Sequence, residues 1–263
     1  MGKGKRIIIL VMFIGAIAVF GFSLWKTIGI NRAYEKGDRV YSEIESQVVA
    51  ENVEFEPKIT DDPKDVEKEP QKESMISVDV KKLQTINKEV VGWIYIPNSA
   101  ISYPLVQGQD NEKYLHKTYN GADSIYGSIF VSNENSGDFS DLHTVIYGHN
   151  MRNGSMFGSL KKYSDSEYFK NHRNIYIFTE KETYRYRVFS CHVTNATGKI
   201  YKTIFDDSFS YAEFLDMAKS NTQIRTNLEV SELDKTITLS TCTGNEATRF
   251  VVHGKYMGKV TIE

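Results

Sequence analysis

A thiol, an imidazole and a guanidinium stand at the ends of segments that alternate like strands. In Lys235–Cys242, Ile237 and Leu239 fall on one face and Thr236, Thr238, Ser240 and Cys242 on the other. A polar strand face that ends in cysteine and runs into Thr243-Gly244-Asn245 sets a thiol at a strand end, facing a groove. In His143–Asn150, the residues His143, Val145, Tyr147 and His149 share a face, and Gly148 lets something approach the backbone beside His149. Arg249 opens the last apolar run and is the only arginine downstream of Cys242. The chemistry open to these types is acyl transfer. A thiolate attacks a carbonyl to form a thioester, an imidazolium protonates a leaving amine, and a guanidinium offers a fork of donors to an oxyanion. Taken singly, each has a plainer reading: Cys242 as a small core residue, His149 as a solvated strand-end side chain, Arg249 as a surface charge.

The elements that must position them are short alternating runs: Val91–Pro97, Ala100–Gln107, Gly127–Ser132, His143–Asn150, Asn174–Glu180, Thr183–Thr194, Lys235–Cys242 and Arg249–Ile262. Eight such runs with turn-like separators predict a closed or nearly closed barrel. A short amphipathic helix through Val80, Leu83, Ile86 and Val90, capped by Ser77 or Asp79, precedes them. Met156, Phe157, Leu160 and Tyr163 share one helical face. A capping box of Ser210 with Glu213 opens another helix carrying Tyr211, Phe214, Leu215 and Ala218. That helix lies in a long excursion between the sixth and seventh strands, a length associated with function more than with connection.

Ahead of the barrel the chain changes character twice. The uncharged run Ile7–Trp25 reaches about 28 Å as a helix, enough for a bilayer core. Lys3, Lys5 and Arg6 precede it, so the positive-inside rule puts the N-terminus in the cytoplasm and the remainder outside. A cleaved signal peptide is the rival reading, but Ala16-Ile17-Ala18 sits in mid-run. Residues 27–50 could continue as a helix. From Glu51 to Ser74 acidic residues dominate and Pro57, Pro63 and Pro70 intervene, a composition that buries too little apolar area to order itself and reads as a stalk. The expected organisation is a cytoplasmic tip and anchor over 1–26, a stalk over 27–76 and a folded domain over 77–263. The formal net charge of -2 gives no electrostatic case for nucleic acid. With only Cys191 and Cys242, no dense disulfide framework exists, and His143 and His149 lack partners at zinc-ligand spacing, so no metal or cofactor is expected.

Thr238-Leu239-Ser240-Thr241-Cys242 followed by Arg249 resembles the sortase signature, and Tyr147-Gly148-His149-Asn150 resembles the sortase histidine motif. Similarity to class B continues through Gly92-Trp93-Ile94, Tyr103-Pro104-Leu105-Val106-Gln107-Gly108, Asp110-Asn111 with Tyr114-Leu115, and Gly127-Ser128-Ile129-Phe130. The resemblance implies a mainly β protein, an eight-stranded sortase-type barrel with peripheral helices behind a transmembrane helix and stalk. It implies Cys242 as nucleophile, His149 as acid and then base, and Arg249 as the group that binds substrate and oxyanion. It also implies the partners: surface proteins with a C-terminal Asn-Pro-x-Thr-Asn/Gly type motif, cut after Thr, and a peptidoglycan-precursor amine as acceptor. Asn111, Leu115, Tyr201 and Ser240 match positions lining the motif groove. A thiol hydrolase with the same three residues, a pilin-polymerising enzyme and a stalked binding module are the other readings.

Overall fold

The computed structural model describes residues 3–55 and 73–260. They divide into two compact units with the boundary between Ser42 and Glu43. Helix α1, Lys3–Val48, accounts for the whole of the first unit, and its apolar part is long and hydrophobic enough to cross a membrane. None of that apolar part is buried within the protein, and Phe13, Phe20 and Trp25 stand exposed around its circumference. An apolar stretch exposed on every side among the described residues is suited to lipid.

In the second unit, strand β1, Val49–Phe55, pairs antiparallel with β2, Glu73–Val78, from Val49 opposite Val78 to Phe55 opposite Glu73. Within the expected stalk over 27–76 the helix continues to Val48, as the sequence allowed, but the charged stretch read by its composition as a stalk is strand at both ends. The compact unit accordingly starts at Glu43, well ahead of residue 77. A ladder needs backbone donors and acceptors more than apolar content, and Met75 and Ile76 supply enough buried surface to seat it. The centre of the stretch, residues 56–72, lies outside the described residues. Helix α2, Val80–Ile86, is capped by Asp79, whose carboxylate accepts from the Lys82 N–H at 3.0 Å. Val80 and Leu83 are buried, Ile86 is exposed, and Val90 belongs to the next strand.

All eight expected runs are strands: β3 Val90–Tyr95, β4 Ser102–Val106, β5 Ile129–Val131, β6 His143–Tyr147, β7 Asn174–Phe178, β8 Thr183–Asn195, β9 Thr236–Cys242 and β10 Thr248–Val260. They close in the order β10-β8-β7-β3-β4-β5-β6-β9. Closure leaves the barrel without a sheet edge, which is how a short-stranded β protein avoids edge pairing with its neighbours. The pairs β4–β5 and β6–β9 are parallel and the others antiparallel. Ile146, Ile175, Ile177, Ile237 and Leu239 are wholly buried. Gly254 makes room in this core, since a Cβ there would press on Ile237 and Tyr186 at 3.2 Å.

Helix α3, Ser166–Asn171, was not apparent in the sequence, while α4, Ser208–Ser220, was. Tyr211, Phe214, Leu215 and Ala218 are its buried face, and with Phe189, Ile200, Leu228 and Val230 they form a second core outside the barrel. Its cap is Asp207, accepting from the Ser210 N–H at 2.8 Å, and not Ser210 itself. Met156, Phe157, Leu160 and Tyr163 are all buried, but on a turn followed by a 3-10 helix, Leu160–Ser164, instead of an α-helix. Met156 adopts a φ of 52°, and at Gly158 a Cβ would lie 2.4 Å from the Met151 carbonyl oxygen, so this stretch cannot wind regularly.

Candidate active site

Because β6 and β9 run parallel, their C-terminal ends reach the same rim of the barrel. Cys242 ends β9 and His149 follows β6 by two residues. β10 returns antiparallel from that rim, with Arg249 directly opposite Cys242 in the ladder. His149, distant in sequence, is thus brought to the barrel end where the β9–β10 hairpin holds Cys242 and Arg249, by strand direction alone.

One backbone bond and two side-chain bonds continue the β6–β9 pairing where the ladder stops. The Gly148 N–H donates to the Ser240 carbonyl at 3.1 Å, the Thr241 hydroxyl to the Gly148 carbonyl at 2.7 Å, and the Asn150 amide to the Cys242 carbonyl at 2.7 Å. The Phe157 N–H holds the His149 carbonyl at 3.0 Å. What approaches Gly148 is the core itself: a Cβ would sit 2.4 Å from Ile129 Cδ1 and 2.7 Å from Phe157 Cδ2. The His149 ring bonds the Leu115 carbonyl through Nε2 at 2.7 Å. A carbonyl only accepts, so Nε2 carries hydrogen and Nδ1 is left to exchange a proton.

Arg249 commits Nη1 to the carbonyls of Glu246 and Thr248, at 2.9 and 3.0 Å, and its other donors, Nε and Nη2, make no hydrogen bond among the described residues. The turn it braces is tight, with Gly244 at φ 96° and the Thr243 and Thr248 hydroxyls 2.5 Å apart. Cys242 is partly exposed, whereas Cys191 is enclosed and burial pushes its thiol up to about 12. Only one of the two thiols is therefore open to chemistry.

Of the four residues expected to line a groove, Asn111, Tyr201 and Ser240 are connected through Tyr147 and Ser132. The Tyr201 and Ser240 hydroxyls are 2.9 Å apart, and the Tyr201 ring stacks on Tyr147 with centroids 6.1 Å apart. Burial raises the Tyr201 phenol, and Arg249 and Cys242 both act on its charge. Tyr147 is likewise pushed up by burial, to about 12, and shares a hydrogen bond with Ser132. Ser132 also meets the Asn111 amide at 3.4 Å, while Asn111 Oδ1 accepts from the Asn133 N–H at 2.9 Å. Leu115 touches the site through its backbone carbonyl. Sequence reasoning gave no role to Tyr147, Asn150 or Thr241, although Tyr147 was already on the His149 face. Among the described residues, no three His, Cys, Asp or Glu side chains are grouped to hold a metal ion.

The polar face of β9 also behaves differently from the sequence expectation. Thr236, Thr238 and Ser240 are buried beneath the 196–235 excursion, Ser240 with its hydroxyl on that of Tyr201, so Cys242 is the one residue of this polar face left partly exposed.

A sortase-domain family model matches residues 94–257. Sortase B of Listeria monocytogenes is 35% identical over 184 residues, covering 69% of this chain and 75% of its own. The Bacillus anthracis sortase B structure superposes with a TM-score of 0.70 at 34% identity, covering 87% of this chain and 98% of that one. A Staphylococcus aureus sortase B–substrate complex gives 0.66 at 31% identity, over 69% and 85%. With the barrel, its rim and this range of relatives in agreement, the chain belongs to the sortase family, in class B, and is a cysteine transpeptidase.

Proposed function

We propose that Cys242 is the nucleophile, His149 the proton carrier and Arg249 the oxyanion and substrate donor of a reaction on C-terminal sorting motifs of the Asn-Pro-x-Thr-Asn/Gly type. The observation that carries this reading is the cross-strand pairing of Cys242 with Arg249 at the rim where the parallel β6 delivers His149. The Cys242 thiolate bonds to the Thr carbonyl carbon, and the oxyanion that forms takes hydrogen bonds from Nε and Nη2 of Arg249. The C–N bond breaks as His149 gives its Nδ1 proton to the leaving amine. A cell-wall precursor amine then attacks the thioester, His149 takes its proton back, and the thiolate departs. Asn111, Leu115, Tyr201 and Ser240 line the motif groove, a reading supported by the S. aureus neighbour having been captured with a substrate. In the test, Cys242→Ala abolishes cleavage of a sorting-motif peptide, while Cys191→Ala leaves it nearly intact. Loss of activity in folded Cys191→Ala overturns the assignment.

The apolar part of α1 is proposed as the membrane anchor, with Lys3, Lys5 and Arg6 in the cytoplasm and the barrel outside. Protease added to protoplasts then releases the catalytic unit. Its full protection refutes this orientation.

A further inference from the structure

Beneath the groove, three histidines occupy the space between β9, β10, β8 and the excursion, and the reaction uses none of them. His143 Nδ1 lies 2.8 Å from the Lys202 carbonyl oxygen and its Nε2 lies 2.7 Å from the Thr238 hydroxyl. The same hydroxyl is 2.7 Å from His253 Nδ1. His253 stacks on His192 with centroids 5.1 Å apart. His143 and His253 are completely enclosed.

The direction of every bond follows from the Lys202 end. A carbonyl cannot donate, so His143 carries hydrogen on Nδ1. Burial keeps the ring neutral, so its Nε2 is a bare acceptor that the Thr238 hydroxyl must fill. With its one hydrogen used, Thr238 accepts from His253 Nδ1–H. The chain therefore runs His253 to Thr238 to His143 to the Lys202 carbonyl, one residue beyond Tyr201. His253 Nε2 finds no partner among the described residues. Other groups around His143 are Asp141 and the Phe205 and Phe214 rings, the latter at 4.3 Å. The Tyr211 hydroxyl is tied separately to Leu142, Asp234 and Thr236. Residues Lys199–Tyr201 form a single 3-10 turn, with Ile200 its buried residue, so an enclosed anchor at Lys202 fixes where the Tyr201 hydroxyl falls.

We propose that His253, Thr238 and His143 form a buried relay that positions the Tyr201 wall of the groove against the strand carrying Cys242. The inference rests on the assignment of Tyr201 to the substrate groove, and these three are positioning residues that touch no substrate. It is tested on the full-length chain with Thr238→Val, which keeps the shape and removes the hydroxyl, and Thr238→Ser, which keeps the hydroxyl. Amide exchange of residues 199–205 accelerates at least tenfold in Thr238→Val and stays near wild type in Thr238→Ser. The peptide KM rises several-fold in Thr238→Val with a smaller change in kcat, and its effect is non-additive with Tyr201→Phe. Unchanged exchange in a folded Thr238→Val overturns the relay. Faster exchange with KM unmoved by either Thr238→Val or Tyr201→Phe keeps the relay and removes Tyr201 from the substrate groove. A measurement on unmutated protein covers a variant that fails to fold: nitrogen NMR of labelled histidine finds His143 and His253 as Nδ1–H tautomers at neutral pH. An Nε2–H tautomer at His143 overturns the inference.

Discussion

Arg249 holds its own turn with one nitrogen and offers the rest of its fork to the rim. Lysine has a single ammonium, a point charge that can brace the turn or face the groove but cannot reproduce the planar fork. Under the proposed role, Arg249→Lys loses on the order of 10²-fold in kcat/KM, the usual scale for one transition-state donor, and Arg249→Ala loses more. Both fold, since the side chain is partly exposed at a strand start. Steady-state cleavage alongside thermal unfolding checks this, and wild-type turnover by Arg249→Lys hands the oxyanion to backbone amides near Cys242. The residues that could do this chemistry were visible in the sequence because side-chain type and strand-end position reveal them. Contacts made by backbone were not: Leu115 meets His149 through a carbonyl that every residue type possesses.

At the scale of elements, the segment from Gly148 to Phe157 sets where His149 sits. Gly148 leaves no room for a methyl group against the enclosed Phe157 ring, so Gly148→Ala forces the ring or the strand end to move. Such overpacking costs about 1–3 kcal/mol, and because Phe157 also holds the His149 carbonyl, activity falls with stability. Adding Phe157→Leu opens space, so the double variant recovers part of the loss, measured by urea unfolding and peptide cleavage. Strictly additive losses show that the clash is not the cause. The buried face of α4 was legible because four apolar residues at helical spacing leave little choice. The same spacing misled over Met156–Tyr163, where Gly154 and Gly158 permit a turn that buries an identical set of residues. The β1–β2 pair was missed because a charge-rich composition does not register backbone pairing.

For the whole molecule, the eight strands were readable from alternation, but their closed order was not, because β6 meets β9 with β7, β8 and the whole excursion between them in sequence. Burying the outer face of that pair under the excursion encloses histidines, and this gives the fold a pH limit. Burial lowers His143 and His192 to about 4, and His253 is held well below its ordinary value by burial and by its two histidine neighbours. An unfolded histidine titrates near 6.5, so between that value and about 4 the unfolded chain binds more protons than the folded one. Stability therefore rises with pH through this window, and acidification from pH 6.5 toward 4 removes it. At about pH 4.5 the loss is on the order of 2–3 kcal/mol for each of His143 and His192, a large share of a typical domain's total. Asp138 belongs to a separate, lower window: the Ser140 and Ser136 hydroxyls hold its carboxyl down to about 2, so its contribution is present above the ordinary carboxylate range and is lost progressively as pH falls from there through about 2. Urea unfolding of the barrel at a series of pH values is expected to show a steep fall beginning near pH 6.5, well before carboxylates titrate. His192→Phe, which keeps an aromatic ring beside His253 and removes one titrating group, reduces that slope by about one proton. A stability flat from pH 6.5 to 4.5 means that the enclosed histidines are charged in the folded protein, and the relay of neutral rings beneath the groove cannot then exist.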